Sequence, residues 1–470
     1  MRLTIKNTIP KILAVVVMAT TLQSCFVAKD YVRPEFQETE NLYRTDNLPQ
    51  DSLSMADVSW KDMFTDAYLK QYIEEGLQNN LDIRVALQQM AAAEAYMKQG
   101  KAGYFPSLNG NASVTHQELS KNSQFGSFFN GSIDQYELTG NLSWEADIWG
   151  KIRSTKRAGE ASYLQSVAAH QAVKTQLVSA IATAYYQLLS LDAQLEVTNQ
   201  TIANRESSVE TIIALKDAGQ VTQVAVDQNV AQYNSARALK VDLEAAIFKT
   251  ENVLNLLLGK PASTIARSSL SSQQLDAEMK LGVPTTLLSN RPDVMAAEYG
   301  LINAFEMTNV ARSNFYPSLT ISATGGLQSL ELDKLLDANS LFATIVGGLT
   351  QPIFNQRKIK TQKEVADAQQ EQALLNFKKT LLTAGNEVSN ALRDYNAETE
   401  KFEYRQNEVQ ALRRAENNSE ELLQNGYANY LDLLTARQSA LSAELNVIDN
   451  KLNQLLSVVN LYEALGGGWR

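Results

Sequence analysis

The chain has 470 residues, a formal net charge of −10 and a single cysteine, so its body holds no disulfide, no thiolate metal site and no cysteine nucleophile. The acidic balance argues against nucleic acid or another polyanion as partner. After residue 24 there is no run of about 18 apolar residues, so a membrane could be crossed only by strands.

The amino terminus reads as an export signal: Arg2, Lys6 and Lys11 give positive charge, no acid precedes Cys25, and the apolar run is ILAVVVMATTL. At about ten apolar residues that run is too short to span a bilayer, and residues 1–24 are expected to be cut away as a lipoprotein signal peptide. Losing its three positive charges takes the formal charge from −10 to −13. Leu22-Gln23-Ser24-Cys25 resembles a bacterial lipobox, which implies a diacylglycerol on the Cys25 thiol and acylation of the new amino terminus. Each buried lipid methylene adds about 0.8 kcal/mol, so two or more chains hold firmly where one holds marginally. Residues 25–65 are read as an extended segment lying beside the middle of the helices described next.

From there the chain repeats itself. Asn80-Leu81-Asp82-Ile83 and Arg291-Pro292-Asp293-Val294 lie 211 residues apart, as do YFPSL at 104–108 and FYPSL at 315–319. The first repeat is placed at 66–258, an equatorial linker at 259–290, the second repeat at 291–465 and a tail at 466–470. Each repeat opens with a helix, Leu81 to Gly103 and Pro292 to Asn314. Pro292 and Asp293 suit a first helical turn, and Pro106 and Pro317 end the pattern.

The period then changes to two. Leu108, Gly110, Ala112 and Val114 alternate with polar residues, as do Tyr136, Leu138, Gly140, Leu142 and Trp144. These predict strands over about 107–116 and 135–145. The second copy predicts strands over about 317–328 and 341–351, the last of them less regular. One apolar and one small, polar face is what an outer-membrane barrel wall requires.

Long helix pairs follow, over 149–257 and 356–464. Beyond Gly150 the chain to Lys216 has no proline and one glycine, Gly159, and 356–424 is interrupted only by Gly385. Each leading helix would reach about 100 Å at 1.5 Å per residue. Leu374, Phe377, Leu381, Val388, Leu392 and Tyr395 keep a heptad-like seam. Gly219 and Gly426 are the expected helix turns. Four strands cannot close a barrel, since the smallest membrane barrels use eight. Copies must therefore combine; three give twelve strands, and geometry alone also permits two or four.

At this point the chain resembles the trimeric outer-membrane efflux ducts of the TolC type, in particular their OprM/NodT-like lipoprotein branch. The resemblance is carried by LQSC, DYVRP (30–34), WKDMFTDAYL (60–69), NNLDI (79–83), LSWEADIWGKIR (142–153), LLLGKPA (256–262), LLSNRPDV (287–294) and the Gly426 tip. It implies an α+β membrane protein: a homotrimer with a twelve-stranded β-barrel in the outer membrane, four strands per chain, continued by a long α-helical barrel in the periplasm with a mixed equatorial band. It also implies a periplasmic adaptor and an inner-membrane pump of the proton-driven RND type as partners. The function so implied is a passive exit duct for small molecules, with no cofactor beyond the covalent lipid on Cys25. The alternative is a non-conducting scaffold or adhesin lipoprotein.

Enzyme chemistry has little to stand on. His116 and His170 are too few and too far apart for a histidine metal site. The Gly-Lys pairs at 150 and 259 continue with Ile152 and Pro261 where a phosphate loop needs Ser or Thr. The resemblance carries Leu431 onto the apolar constriction that closes the duct and puts Thr435 where an acid is expected. Asp432, on nearly the same face, would then supply a ring of three carboxylates, with Asp227 at the other tip as a further candidate.

Overall fold

The computed structural model describes residues 27–36, 42–44, 54–124, 126–128, 132–273 and 287–470. Helix α1 (Ala67–Asn79) starts at Asp66, whose carboxylate accepts from the amides of Tyr68 and Leu69. Asn80 then ends α1 and caps α2 (Leu81–Ala102), accepting from the amides of Asp82 and Ile83 at 2.8 and 3.2 Å. Strands β1 (Ser107–Glu118) and β2 (Ser132–Ala146) follow, then the long helix α3 (Lys151–Asp217) and its return α4 (Gln223–Leu257). The second copy gives α5 (Pro292–Ser313), β3 (Ser318–Ser329), β4 (Leu341–Thr350), α6 (Lys358–Gln424) and α7 (Tyr430–Ala464). The two copies match in length: 22 residues in α2 and α5, 67 in α3 and α6, 35 in α4 and α7.

The four strands make one antiparallel sheet in the order β1-β2-β3-β4, so β1 and β4 each have one open edge. Register confirms the two faces. Leu108 pairs with Leu142, Leu138 with Leu327, Trp144 with Ile321 and Leu319 with Leu349 on one; Asn109 with Asn141, Asn141 with Thr324 and Thr324 with Thr344 on the other. Across the apolar face runs a row of small residues, Gly110, Gly140, Gly325 and Ala343, each the register partner of the next. β4 departs from strict alternation because Phe342 and Val346 share the otherwise polar face, opposite Gly326 and Ser322.

Contacts group the chain into two compact units, and neither coincides with a repeat. One takes residues up to Pro34, Ala91–Gln165 and Ala297–Asn376; the other takes Glu35–Met90, Ser166–Ala296 and Phe377–Arg470. Corresponding segments of the two copies pack on one another, so the repeat is a unit of sequence and not of packing. The first unit holds the sheet. In the second, Ile181, Tyr185, Leu188 and Leu189 of α3 are fully buried, as are Leu69 and Ile73 of α1 and Phe377, Leu381, Val388 and Leu392 of the predicted seam. Leu374 and Tyr395, at the ends of that seam, are half-buried.

Gly219 and Gly426 both sit at φ +75°. The amide of Gln220 bonds the Leu215 carbonyl and that of Gly219 the Lys216 carbonyl; Tyr427 and Gly426 repeat the pattern on Leu422 and Leu423. This double closure needs a left-handed residue, and glycine takes it without a Cβ penalty.

Candidate functional site

The described residues at the two helix tips belong to one unit, and four helices meet just behind them. Thr222 precedes α4 without a capping side-chain bond, whereas Asn429 and Asp432 form a reciprocal capping box on α7. The Asp432 amide donates to Asn429 Oδ1 at 3.0 Å, and Asp432 Oδ2 accepts from the Asn429 amide at 3.3 Å. Asp432 therefore has a structural task at the position the sequence singled out. Leu431 is 56% exposed, and Thr435 Oγ1 donates to the Leu431 carbonyl at 2.9 Å. Asp227 accepts from Gln223 Nε2 one turn earlier in α4 at 2.9 Å.

Behind the tips, arginines tie the helices together. Arg205 of α3 is buried and donates to the Gln232 carbonyl of α4 and to Gln438 Oε1 of α7. Burial lowers its pKa, since no carboxylate bonds it directly. Arg437 of α7 donates to Ser208 of α3 and reaches Glu420 of α6 at 3.0 Å. Arg413 of α6 grips Glu416 on its own helix and Glu444 of α7. Tyr430 hydrogen-bonds Asn229, and burial raises its phenol pKa. Sequence reasoning missed this cluster; the available signal was polar residues at positions where the helical period calls for apolar ones.

A second polar system lies at the ends of the shorter helices. Asp66 accepts from Gln273 Nε2 at 2.7 Å, from Tyr185 at 3.0 Å and from Ser268. Arg267 forks onto Asp192 and reaches Glu251 at 2.6 Å, joining the irregular segment after α4 to α3 and α4. Arg291 is nearly buried; burial works against its charge, and Asp293 and Glu387, both 2.6 Å away, more than offset it. It also donates to the Ala464 carbonyl, while Trp469 donates to the Asn290 carbonyl at 3.0 Å. The GGGW tail is thus a packed clasp, with Gly466 and Gly468 at φ +92° and +99°.

Cys25 lies outside the described residues. His116 pairs with Asp134 across β1 and β2 at 2.6 Å, and His170 stands on α3, so no histidine pair forms. Among the described residues no group of three or more His, Cys, Asp or Glu side chains could hold a metal, and no helix is long and apolar enough to cross a membrane.

Comparison with known proteins agrees with this geometry. The profile of the family described as outer membrane efflux protein matches residues 72–260 and 283–467. The cation efflux system protein CusC of Escherichia coli O6:H1 is 28% identical over 459 residues, covering 96% of this chain and 98% of CusC. The probable outer membrane lipoprotein SilC of Salmonella typhimurium is 26% identical over 450 residues, with 94% and 95% covered. The solved structure of the outer-membrane channel OprN superposes with a TM-score of 0.84 at 24% identity, covering 95% of this chain and 100% of that one, and shows the same fold.

Proposed function

This chain belongs to the outer membrane efflux protein family and is an outer-membrane efflux channel, and from that premise we propose that three copies close into one passive exit duct. The observation that carries the proposal is the sheet: four strands with an apolar and a polar face and an open edge at β1 and at β4. An open edge in lipid leaves unsatisfied amides and carbonyls, each costing several kcal/mol, so β4 of one copy must pair with β1 of the next. Three copies give twelve strands with the polar face inward, around water.

The duct takes solute from a periplasmic adaptor and an inner-membrane pump of the RND type, which supplies the energy. A lipid on Cys25 anchors each copy; the lipobox supports this, as does the similarity to SilC, a probable outer membrane lipoprotein. The scaffold alternative has no use for a sheet that is apolar toward lipid on one side and polar on the other. Leu431 forms the apolar part of the constriction, and Asp432 stands beside it while capping α7.

Planar-bilayer recording of the purified trimer tests the reading. Discrete conductance steps are expected, small in the parent protein and at least threefold larger in Leu431→Ala. A trimer that stays silent in both proteins would overturn the duct.

A further inference from the structure

The segment directly after Cys25 is irregular yet firmly held, and what holds it is one face of α5. Glu298, Phe305, Asn309 and Arg312 are spaced by seven, four and three residues, which aligns them along the helix. The segment meets them in reverse order at every second residue. Arg312 donates to the Val27 carbonyl at 3.3 Å. Asn309 clamps Lys29 by its backbone, accepting from the amide at 3.1 Å and donating to the carbonyl at 2.9 Å. Tyr31 meets the Phe305 ring edge-on at 5.6 Å, and Arg33 forks onto Glu298 at 2.5 and 2.7 Å.

The dimensions agree. The fourteen steps from Glu298 to Arg312 along α5 rise about 21 Å, and the six extended steps from Val27 to Arg33 cover about 20 Å, so the segment is taut. An even-numbered residue binds elsewhere: Asp30 takes Arg157 of α3 at 2.8 Å. Ala28 lies against Gly150, where an added Cβ would come within 2.9 Å of it.

With the segment seated, this polar face is closed off from water. Asn309 is 1% exposed and Glu298 8%, although both are polar residues on a helix. The sequence repeat supplies a control: 211 residues upstream the same positions of α2 are Leu87, Glu94, Lys98 and Lys101. There Lys98 pairs with Glu94 on its own helix and Lys101 faces Glu160. Among the described residues the clamp is a property of the second copy alone.

We propose that this face of α5 is a docking track for Val27–Arg33, and that the track, rather than the lipid by itself, fixes where an acylated Cys25 enters the membrane. The inference rests on the reading that Cys25 is acylated and the sheet spans the bilayer. Arg312 lies in the last turn of α5, which ends at Ser313, five residues before β3 begins, and Gly150 stands between β2 and α3, so the first docked residues are held at the end of the sheet. Cys25 precedes Val27 by two residues in the sequence, and two residues of chain reach at most about 7 Å. Acyl chains on Cys25 would thereby be tethered to the end of the sheet.

Val32 is 83% exposed and points away from the track, so Val32→Cys carries a nitroxide without disturbing it. One label per chain by mass spectrometry shows Cys25 consumed by lipid; two labels overturn the acylation and leave the docking to be read separately in Cys25→Ser. Pulsed spin–spin distances within the purified trimer should be narrow in the parent and in Cys25→Ser. They should be at least twofold broader in Arg33→Glu, and narrow again when Glu298→Arg is added. Absence of any dipolar signal would count against the trimer, and docking is then read by trypsin, which should cut at Lys29 at least tenfold faster in Asn309→Leu. In the trimer, the headgroup-level nickel accessibility of the label should change at least twofold in Arg33→Glu. A parent distribution as broad as the variant's, broadening in Cys25→Ser equal to that in Arg33→Glu, or equal trypsin rates would overturn the track.

Discussion

Asp432 shows how one side chain can satisfy a functional expectation and a structural one at once. Its capping box predicts that Asp432→Ala destabilises the first turn of α7 by about 1 kcal/mol, visible as faster amide exchange over 430–435. Asp432→Asn, which keeps an acceptor, should lose less than half of that. Glu463 offers a pH test. Burial raises its pKa, with a Ser179 hydrogen bond and Arg291 working against the rise. A carboxyl raised in the folded state contributes stability that is present below its unfolded value and lost as pH climbs through the folded one. The parent should therefore lose stability as pH rises above the ordinary glutamate range, and Glu463→Gln should flatten that slope in denaturant titrations at several pH values. At this scale the sequence was only partly legible. The glycines at 219 and 426 announced their turns because backbone freedom is local. Arg205, Asn309 and Glu298 did not, since their partners lie on segments far away in the chain.

At the level of elements, the matched helices and strands followed from period and punctuation: prolines 106 and 317 ended helices, and alternation marked the first three strands, and less regularly the fourth, to within a few residues. The departures have physical causes. Phe342 and Val346 break the alternation of β4, and the packing units cut across the repeats because equivalent pieces of the two copies adhere. The start of α6 differs from that of α3 in a telling way. Gly150 sits at φ +76°, and 207 residues later Arg357 holds φ +67° with Gln356 beside it at φ +53°. A side chain in that region costs about 1–2 kcal/mol. Arg357 recovers part of this through one exposed guanidinium nitrogen that donates to both Glu364 carboxylate oxygens, a contact worth about 0–1 kcal/mol. Arg357→Gly should thus raise stability by about 0.5–1 kcal/mol, and thermal unfolding of the trimer would register it. Gly426→Ala should do the opposite by about 1 kcal/mol.

For the whole molecule the open edges of β1 and β4 dominate. Neighbouring amides on a strand point to opposite sides, so of Thr344→Pro and Ile345→Pro one disturbs only the free side of β4. That variant should keep its helical circular dichroism while running as a monomer in sedimentation, whereas a trimer would show that β4 does not close the ring. The row Gly110, Gly140, Gly325 and Ala343 has a different bearing. It crosses the apolar face where leucines stand above and below it, and an added Cβ at Gly110 would meet nothing within 4 Å. The outer skin of the wall is consequently furrowed, and annular lipid tails can settle against bare backbone there. Filling the furrow with valines would change how the protein sits among its neighbours in the bilayer while leaving the water-side lining untouched, which separates solvation by lipid from passage of solute.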